Sequence, residues 1–175
     1  MTAPAAPQTF ESIYREHFSA VYRQALRYGG GDPHWAEDVA HDVFMKLLQA
    51  LPRLRRARDL GGWLYRVTAN EAVSRLRRRS SLLARLSDAW QLLSADTPTD
   101  SPEVVVLRHE AAKAALETLQ SLPARERVVI CMRLLEGRSQ RDIAATLDLS
   151  EGYVSKLVAR GVASLRQAGW EVDHG

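Results

Sequence analysis

The segment that most tightly constrains the fold is SQRDIAATLDLSEGYVSKLVARGVASLR, residues 139–166. Ser139 followed three positions later by Asp142 is a helix-start signature, with Asp in place of the commoner Glu or Gln. Ile143, Ala144 and Leu147 recur at helical spacing and give a short helix its apolar face. Asp148-Leu149-Ser150 makes a tight turn, and Ser150 is placed to cap a second helix. In that helix Val154, Val158, Gly161, Val162 and Leu165 share one face, and Ser155, Lys156, Ala159 and Arg160 lie away from it. A support helix, a turn and a second helix with a polar outer face make a helix-turn-helix, whose second helix can enter a DNA major groove. The same pattern also fits a plain helical hairpin with a solvated face.

The other segments are helical too. Phe10, Ile13, Tyr14, Phe18, Val21, Tyr22, Ala25 and Leu26 form an amphipathic stripe that Gly29-Gly30-Gly31 ends. Asp32-Pro33 reads as an N-cap and first-turn proline. Trp35, Val39, Val43, Phe44, Leu47, Leu48 and Leu51 continue a second stripe, which Pro52 is expected to close. Gly61-Gly62 reads as a break before a third helix from about Trp63 to Arg79 and on toward Leu86. Residues 87–102, SDAWQLLSADTPTDSP, read as an acidic linker. Helical pattern resumes near Glu103 and runs to Leu122, and shorter helices follow near 123–135, 139–147 and 151–167. No segment alternates like a strand. The expected fold is all-α: a tail at 1–9, a helical domain at 10–86, a flexible linker at 87–110 and a second helical domain at 111–170.

Charge is segregated. Nine arginines stand against Asp59 and Glu71 between Arg53 and Arg79, a local net of +7 in a chain whose total is +3, so the remainder carries −4. That asymmetry points to a polyanion partner for one segment. Lysine occurs only at Lys46, Lys113 and Lys156, and arginine is the residue suited to bidentate phosphate and base-edge contacts. Within WLYRVTANEAVSRLRRR, Leu64, Val67, Val73 and Leu76 can pack inward, and Arg66, Asn70, Arg77 and Arg78 can lie outward. Aromatics interleaved with arginine suit single-stranded nucleic acid, and asparagine can read a base edge. In the second domain, Arg133, Arg138 and Arg141 can grip the DNA backbone around the groove.

Other function classes fare worse. No apolar run approaches the roughly 20 residues of a membrane span, and MTAPAAPQTF lacks the pattern of a secretory signal, so a cytoplasmic protein is expected. The single Cys131, inside VVICMRLL, excludes an internal disulfide and reads as a core residue. His34, Asp38 and His41 are spaced to share a helix face, but no further ligand cluster accompanies them, so no metal is expected. No phosphate loop, Ser-His-Asp pattern or paired-carboxylate motif appears, so neither an enzyme, a cofactor nor a small-molecule substrate is expected. A stand-alone helix-turn-helix regulator is the alternative, and it has no need of a single-strand surface.

Taken in order, these segments resemble the extracytoplasmic-function group of bacterial sigma factors over about Phe10 to Arg166. AEDVAHDVFMKLL (36–48) resembles the family's polymerase-binding helix, and WLYRVTAN (63–70) with RLRRR (75–79) its −10 element. LQSLPARERVVICMRLLEG (119–137) with the helix-turn-helix resembles its −35 reader. The resemblance implies that Asp38, His41 and Asp42 face the clamp helices of the largest subunit of core RNA polymerase, and that the flap of the second-largest subunit is a further contact. It implies that Trp63, Arg66, Asn70, Arg75, Arg77 and Arg78 serve the −10 promoter DNA, with Asn70 lining a flipped-base pocket. It implies that Arg133, Ser155, Lys156, Ala159 and Arg160 face the −35 groove. The chain departs from the family with His41 for the common Gln, Tyr153 for Thr, and Leu157 for Arg. YVSKLVARG, REHF and AEDVAHDVF are similar to the iron-starvation (ferric-siderophore) subgroup, which implies an anti-sigma partner anchored in the inner membrane.

Overall fold

The computed structural model describes residues 9–54, 59–91 and 108–170. Residues 1–8 of the expected tail, residues 55–58 and residues 92–107 of the expected linker lie outside the described residues. Seven helices make up the rest, with no strand among the described residues: α1 (Phe10–Gly29), α2 (Pro33–Leu54), α3 (Leu60–Gln91), α4 (Arg108–Ser121), α5 (Ala124–Ile130), α6 (Gln140–Leu147) and α7 (Glu151–Gln167). A single π turn, Cys131–Leu135, extends α5.

Local chemistry sets the helix ends. Thr9 caps α1, its hydroxyl accepting from Ser12 N–H at 3.2 Å. Gly30 adopts a left-handed φ of 70° and Gly31 one of 81°, and Gly31 N–H reaches back to the Leu26 carbonyl at 2.8 Å. Asp32 caps α2 by accepting from Trp35 N–H at 3.1 Å. Ser139 accepts from Asp142 N–H at 3.1 Å, and its own hydroxyl donates to the Asp142 carboxylate at 2.7 Å. Ser150 accepts from Tyr153 N–H at 3.2 Å. Asp148 takes the left-handed conformation in the turn between α6 and α7, with φ 53°.

Three boundaries differ from the sequence expectation. α2 continues past Pro52 to Leu54, because a proline in the last turn forfeits only its own N–H bond. α3 begins at Leu60 and includes Gly61 and Gly62. Asp59 accepts from Gly62 N–H at 2.7 Å, and this cap starts the helix before the glycines can break it. At its far end α3 runs to Gln91, five residues into the expected linker; the expected helix start near Glu103 lies outside the described residues.

α1, α2 and α3 pack against one another, and α5, α6 and α7 form a second unit. Val21, Tyr28, Val39, Val43, Leu47 and Leu64 are buried in the first, and Val128, Ile130, Met132, Ile143, Val154 and Leu157 in the second. α3 also touches α5 and α6, so the two units pack together. Gly161 is where α7 meets α5 most closely: a Cβ there would lie 2.3 Å from Ile130 Cγ1. Gly161→Ala is therefore expected to destabilise the fold by about 1–3 kcal/mol, read as a lower urea midpoint. An unchanged midpoint would show that Ile130 moves aside freely.

Candidate nucleic-acid and polymerase interfaces

On a helix of 3.6 residues per turn, Trp63, Arg66, Asn70, Arg77 and Arg78 of α3 fall within an arc of roughly 120°. Arg66, Asn70, Arg77 and Arg78 are exposed and Trp63 is half-buried against the core. Leu64, Val73 and Leu76 are buried outside the arc, and Val67, within it, is partly buried. The arc carries three exposed guanidiniums and one amide, the donor set for phosphates and a base edge.

Arg75 stands apart from that arc by roughly 60°, and α2 captures it. Its Nε and Nη2 donate to Asp42 Oδ2 at 3.0 and 2.6 Å, and its Nη1 donates to Asp38 Oδ2 at 3.0 Å. Burial works against the guanidinium's charge, but the two carboxylates outweigh it and raise its pKa. The family resemblance implied that Arg75 serves the −10 DNA beside the outward arginines; the structure places it in a brace between α3 and α2. The brace also orients two of the three polymerase candidates. Asp38 and Asp42 flank Arg75, and His41 is exposed between them on α2.

Glu71 is a charged residue that sequence reasoning missed. It is buried at 4% exposure, yet it accepts from Arg78 Nη2 at 2.8 Å and from Lys46 of α2. Its position between Asn70 and the arginine cluster is the signal that was available: one acid amid so many cations has partners within reach.

The second helix of the helix-turn-helix is divided as expected. Ser155, Lys156, Ala159 and Arg160 are exposed together on α7. Leu157 is 2% exposed, so its departure from the family pattern changes the core and does not alter the groove-facing surface. Tyr153 is half-buried against the same core. Arg160 lies 3.5 Å from Glu126 of α5. Arg133 sits in the π turn, and its Nη1 donates to the Arg138 carbonyl at 3.3 Å.

The two units meet through further groups that the sequence did not mark. Glu136 has a nearly buried side chain, and it accepts from Arg27 Nε and Nη2 at 3.2 and 3.1 Å and from the Tyr65 hydroxyl at 2.5 Å. The Arg138 guanidinium lies 4.5 Å over the Tyr65 ring. Gln24, buried in α1, donates to Tyr28 Oη and to the Tyr65 carbonyl, both at 3.1 Å. Asn70 Nδ2 donates to the Arg66 carbonyl at 2.9 Å and to the Thr146 carbonyl of α6 at 3.0 Å.

Two titrations follow from this packing. Burial, reinforced by Glu136, pushes the Tyr65 hydroxyl up from 10.0 to about 12, and burial pushes the Cys131 thiol up from 9.0 to about 12. Groups whose pKa is raised on folding contribute stability that is complete below their ordinary pKa and is lost as pH climbs through the folded value. The melting temperature is thus expected to decline from about pH 9 toward pH 12, with Cys131→Ala removing part of the early decline. An identical profile in that variant would mean that the thiol is not protected.

Comparison with known proteins places these surfaces in a family. The chain matches the Sigma-70 region 2 family over residues 13–82 and the Sigma-70 region 4 family over residues 118–167. It is 31% identical to the ECF RNA polymerase sigma-E factor of Escherichia coli K12 over 129 residues, covering 70% of this chain and 68% of that protein. It is 29% identical to the ECF sigma factor SigE of Mycolicibacterium smegmatis over 163 residues, covering 93% of this chain but 62% of SigE. In fold it is similar to the sigma factor RpoE in its complex with the anti-sigma factor NepR from Bartonella quintana, with a TM-score of 0.60, 21% identity and coverage of 91% of this chain and 95% of that one. The chain belongs to the sigma-70 family, among the extracytoplasmic-function sigma factors. Among the described residues, no helix is long and apolar enough to cross a membrane.

Proposed function

We propose that this chain is a transcription initiation factor that binds core RNA polymerase, brings it to particular promoters and helps open their −10 region. One observation carries this reading: a single chain presents a basic, amide-bearing arc on α3 and a separate groove-sized polar face on α7. An exposed helix face suits duplex DNA, whose major groove admits a helix without melting. An amide among guanidiniums suits an extruded base held beside its phosphates, since flipping costs a few kcal/mol that a shaped pocket repays.

In this reading Arg66, Asn70, Arg77 and Arg78, with Trp63 behind them, serve the −10 strand. Arg75 is a positioning residue that holds Asp38 and Asp42 for the polymerase clamp, with His41 beside them. Ser155, Lys156, Ala159 and Arg160 read the −35 duplex, and Arg133 supports its backbone. The polymerase flap meets the C-terminal unit. The site of action is the cytoplasm, where polymerase works, and no catalytic step is assigned to the chain. The RpoE neighbour is held by an anti-sigma factor, and the same class of partner, membrane-anchored in the iron-starvation subgroup, is proposed here. A stand-alone duplex-binding regulator is disfavoured, because it leaves the α3 arc without a use.

Lys156→Ala and Arg160→Ala are each expected to lower transcription from a −35-dependent promoter by roughly 5- to 100-fold, the equivalent of about 1–3 kcal/mol per lost base contact. Run-off transcription on promoters with altered −35 elements checks this. Equal activity of wild type and both variants on every promoter would remove α7 from −35 reading.

A further inference from the structure

We propose that Glu71 is a specificity-determining positioning residue for the −10 strand: from beneath the α3 arc it holds Arg78 in one place, so that this arginine meets phosphate only in the register that seats a base at Asn70. The inference rests on the assignment of that arc to the −10 strand and adds a residue that the assignment does not contain.

Glu71 is the only acid between Leu60 and Arg79, a stretch that carries five arginines. It is 4% exposed, and both of its carboxylate oxygens are taken. Oε1 accepts from Arg78 Nη2 at 2.8 Å and lies 3.7 Å from Arg75 Nε, and Oε2 accepts from Lys46 Nζ of α2. A carboxylate out of water needs such partners, and charge-assisted bonds of this kind are about twice as strong as neutral ones. The carboxylate is therefore fixed by α2, and Arg78 is fixed by the carboxylate.

Arg78 lies at the end of the arc beside Arg75, the side that α2 covers. Its acceptor is seven residues back along α3, about 10 Å of helix axis, so the guanidinium is laid toward the turn that carries Asn70. The side chain is still 64% exposed, and a strand on the arc can reach it. An unheld arginine at this edge keeps its rotamer freedom and takes phosphate wherever a strand offers one. Phosphate contacts set register, and base contacts carry sequence. A held arginine ties the two together, because it rewards only the strand position in which Asn70 also has its base. By the same carboxylate Lys46 is kept from adding a second, indiscriminate phosphate contact.

The test uses the holoenzyme, reconstituted from bacterial core RNA polymerase and the full chain, with core alone as the blank. The probe is a fluorescein-labelled pool of random single-stranded 12-mers. Its bulk affinity is measured against salt, and the bound fraction is sequenced. Glu71→Gln keeps the size of the side chain and removes its charge. It is expected to tighten bulk binding about fivefold, to steepen the slope of log affinity against log salt by about 0.7 for each phosphate gained, and to cut the enrichment of the top-ranked sequence about fivefold. The double variant Glu71→Gln/Lys46→Gln has the wild-type net charge and is expected to show the same loss of enrichment, because Arg78 is still unheld. It also carries the test where Glu71→Gln alone loses its fold by circular dichroism. Wild-type enrichment in the double variant would overturn the positioning role and leave only an effect of net charge. A lower thermal midpoint with slope and enrichment as in wild type would overturn it as well, making Glu71 a structural ion-pair member. Failure of the wild-type holoenzyme to enrich any sequence over core alone would remove the −10 assignment of the arc, and the role of Glu71 with it; equal enrichment by wild type and variants would remove Glu71 alone.

Discussion

Asn70→Ala is expected to reduce open-promoter formation by roughly 5- to 100-fold while the affinity for core polymerase stays at the wild-type value. The size follows from the about 1–3 kcal/mol that a base-edge contact supplies. The direction follows from placement: Asn70 is exposed on the α3 arc and far in sequence from the α2 carboxylates. The substitution also removes a bond to the Thr146 carbonyl, so the thermal midpoint is read alongside. A loss at an unchanged midpoint would report the DNA contact and not the internal one. Permanganate reactivity of the −10 thymines is the readout, and wild-type reactivity in the variant would withdraw Asn70 from base reading.

The second large effect is on polymerase binding. Asp42→Arg is expected to weaken association with core polymerase by at least 30-fold, because on the proposed clamp contact it removes one partner of an interfacial charge pair, a loss of roughly 2–5 kcal/mol. Asp42 also holds Arg75 at 2.6 Å, so the substitution disturbs the chain internally. Arg75→Ala separates the two effects, since it breaks the brace and keeps the carboxylate. The expected order of affinity is wild type, then Arg75→Ala, then Asp42→Arg far below. Equal affinities for wild type and Asp42→Arg in an anisotropy titration would move the clamp contact elsewhere.

The parts legible in the sequence are those set by neighbours within a turn or two. Ser139 with Asp142, and Ser150 with Tyr153 N–H, are caps with three-residue spacing, so the helix-turn-helix and its outward face could be read directly. The α3 arc was legible for the same reason, with the exception of Arg75. A run of arginines signals an exposed face, but the helical angle turned this one toward two acids more than thirty residues away. The glycine pair at 61–62 misled because the Asp59 cap was overlooked, and Pro52 misled because its penalty depends on how much helix follows.

The closure of the two units was not legible at all. Tyr65 and Glu136 are 71 residues apart, and Asn70 and Thr146 are 76 apart. No periodicity or local motif links such pairs, and the intervening acidic stretch reads only as a connector. Glu136 follows an apolar run as an ordinary polar residue would, and only the fold shows it nearly buried between Arg27 and Tyr65. Leu157 illustrates the converse. The family resemblance marks it as a departure beside the outward face of α7, and the fold buries it in the core.

The most direct test of the central claim is a run-off assay with bacterial core RNA polymerase, with and without this protein, on a candidate target promoter, paired with a native gel for association. A discrete transcript that depends on the protein, together with co-migration with core, is the expected result. Failure to associate with core polymerase, together with tight duplex binding by the protein alone, would contradict it and make the chain a stand-alone helix-turn-helix regulator.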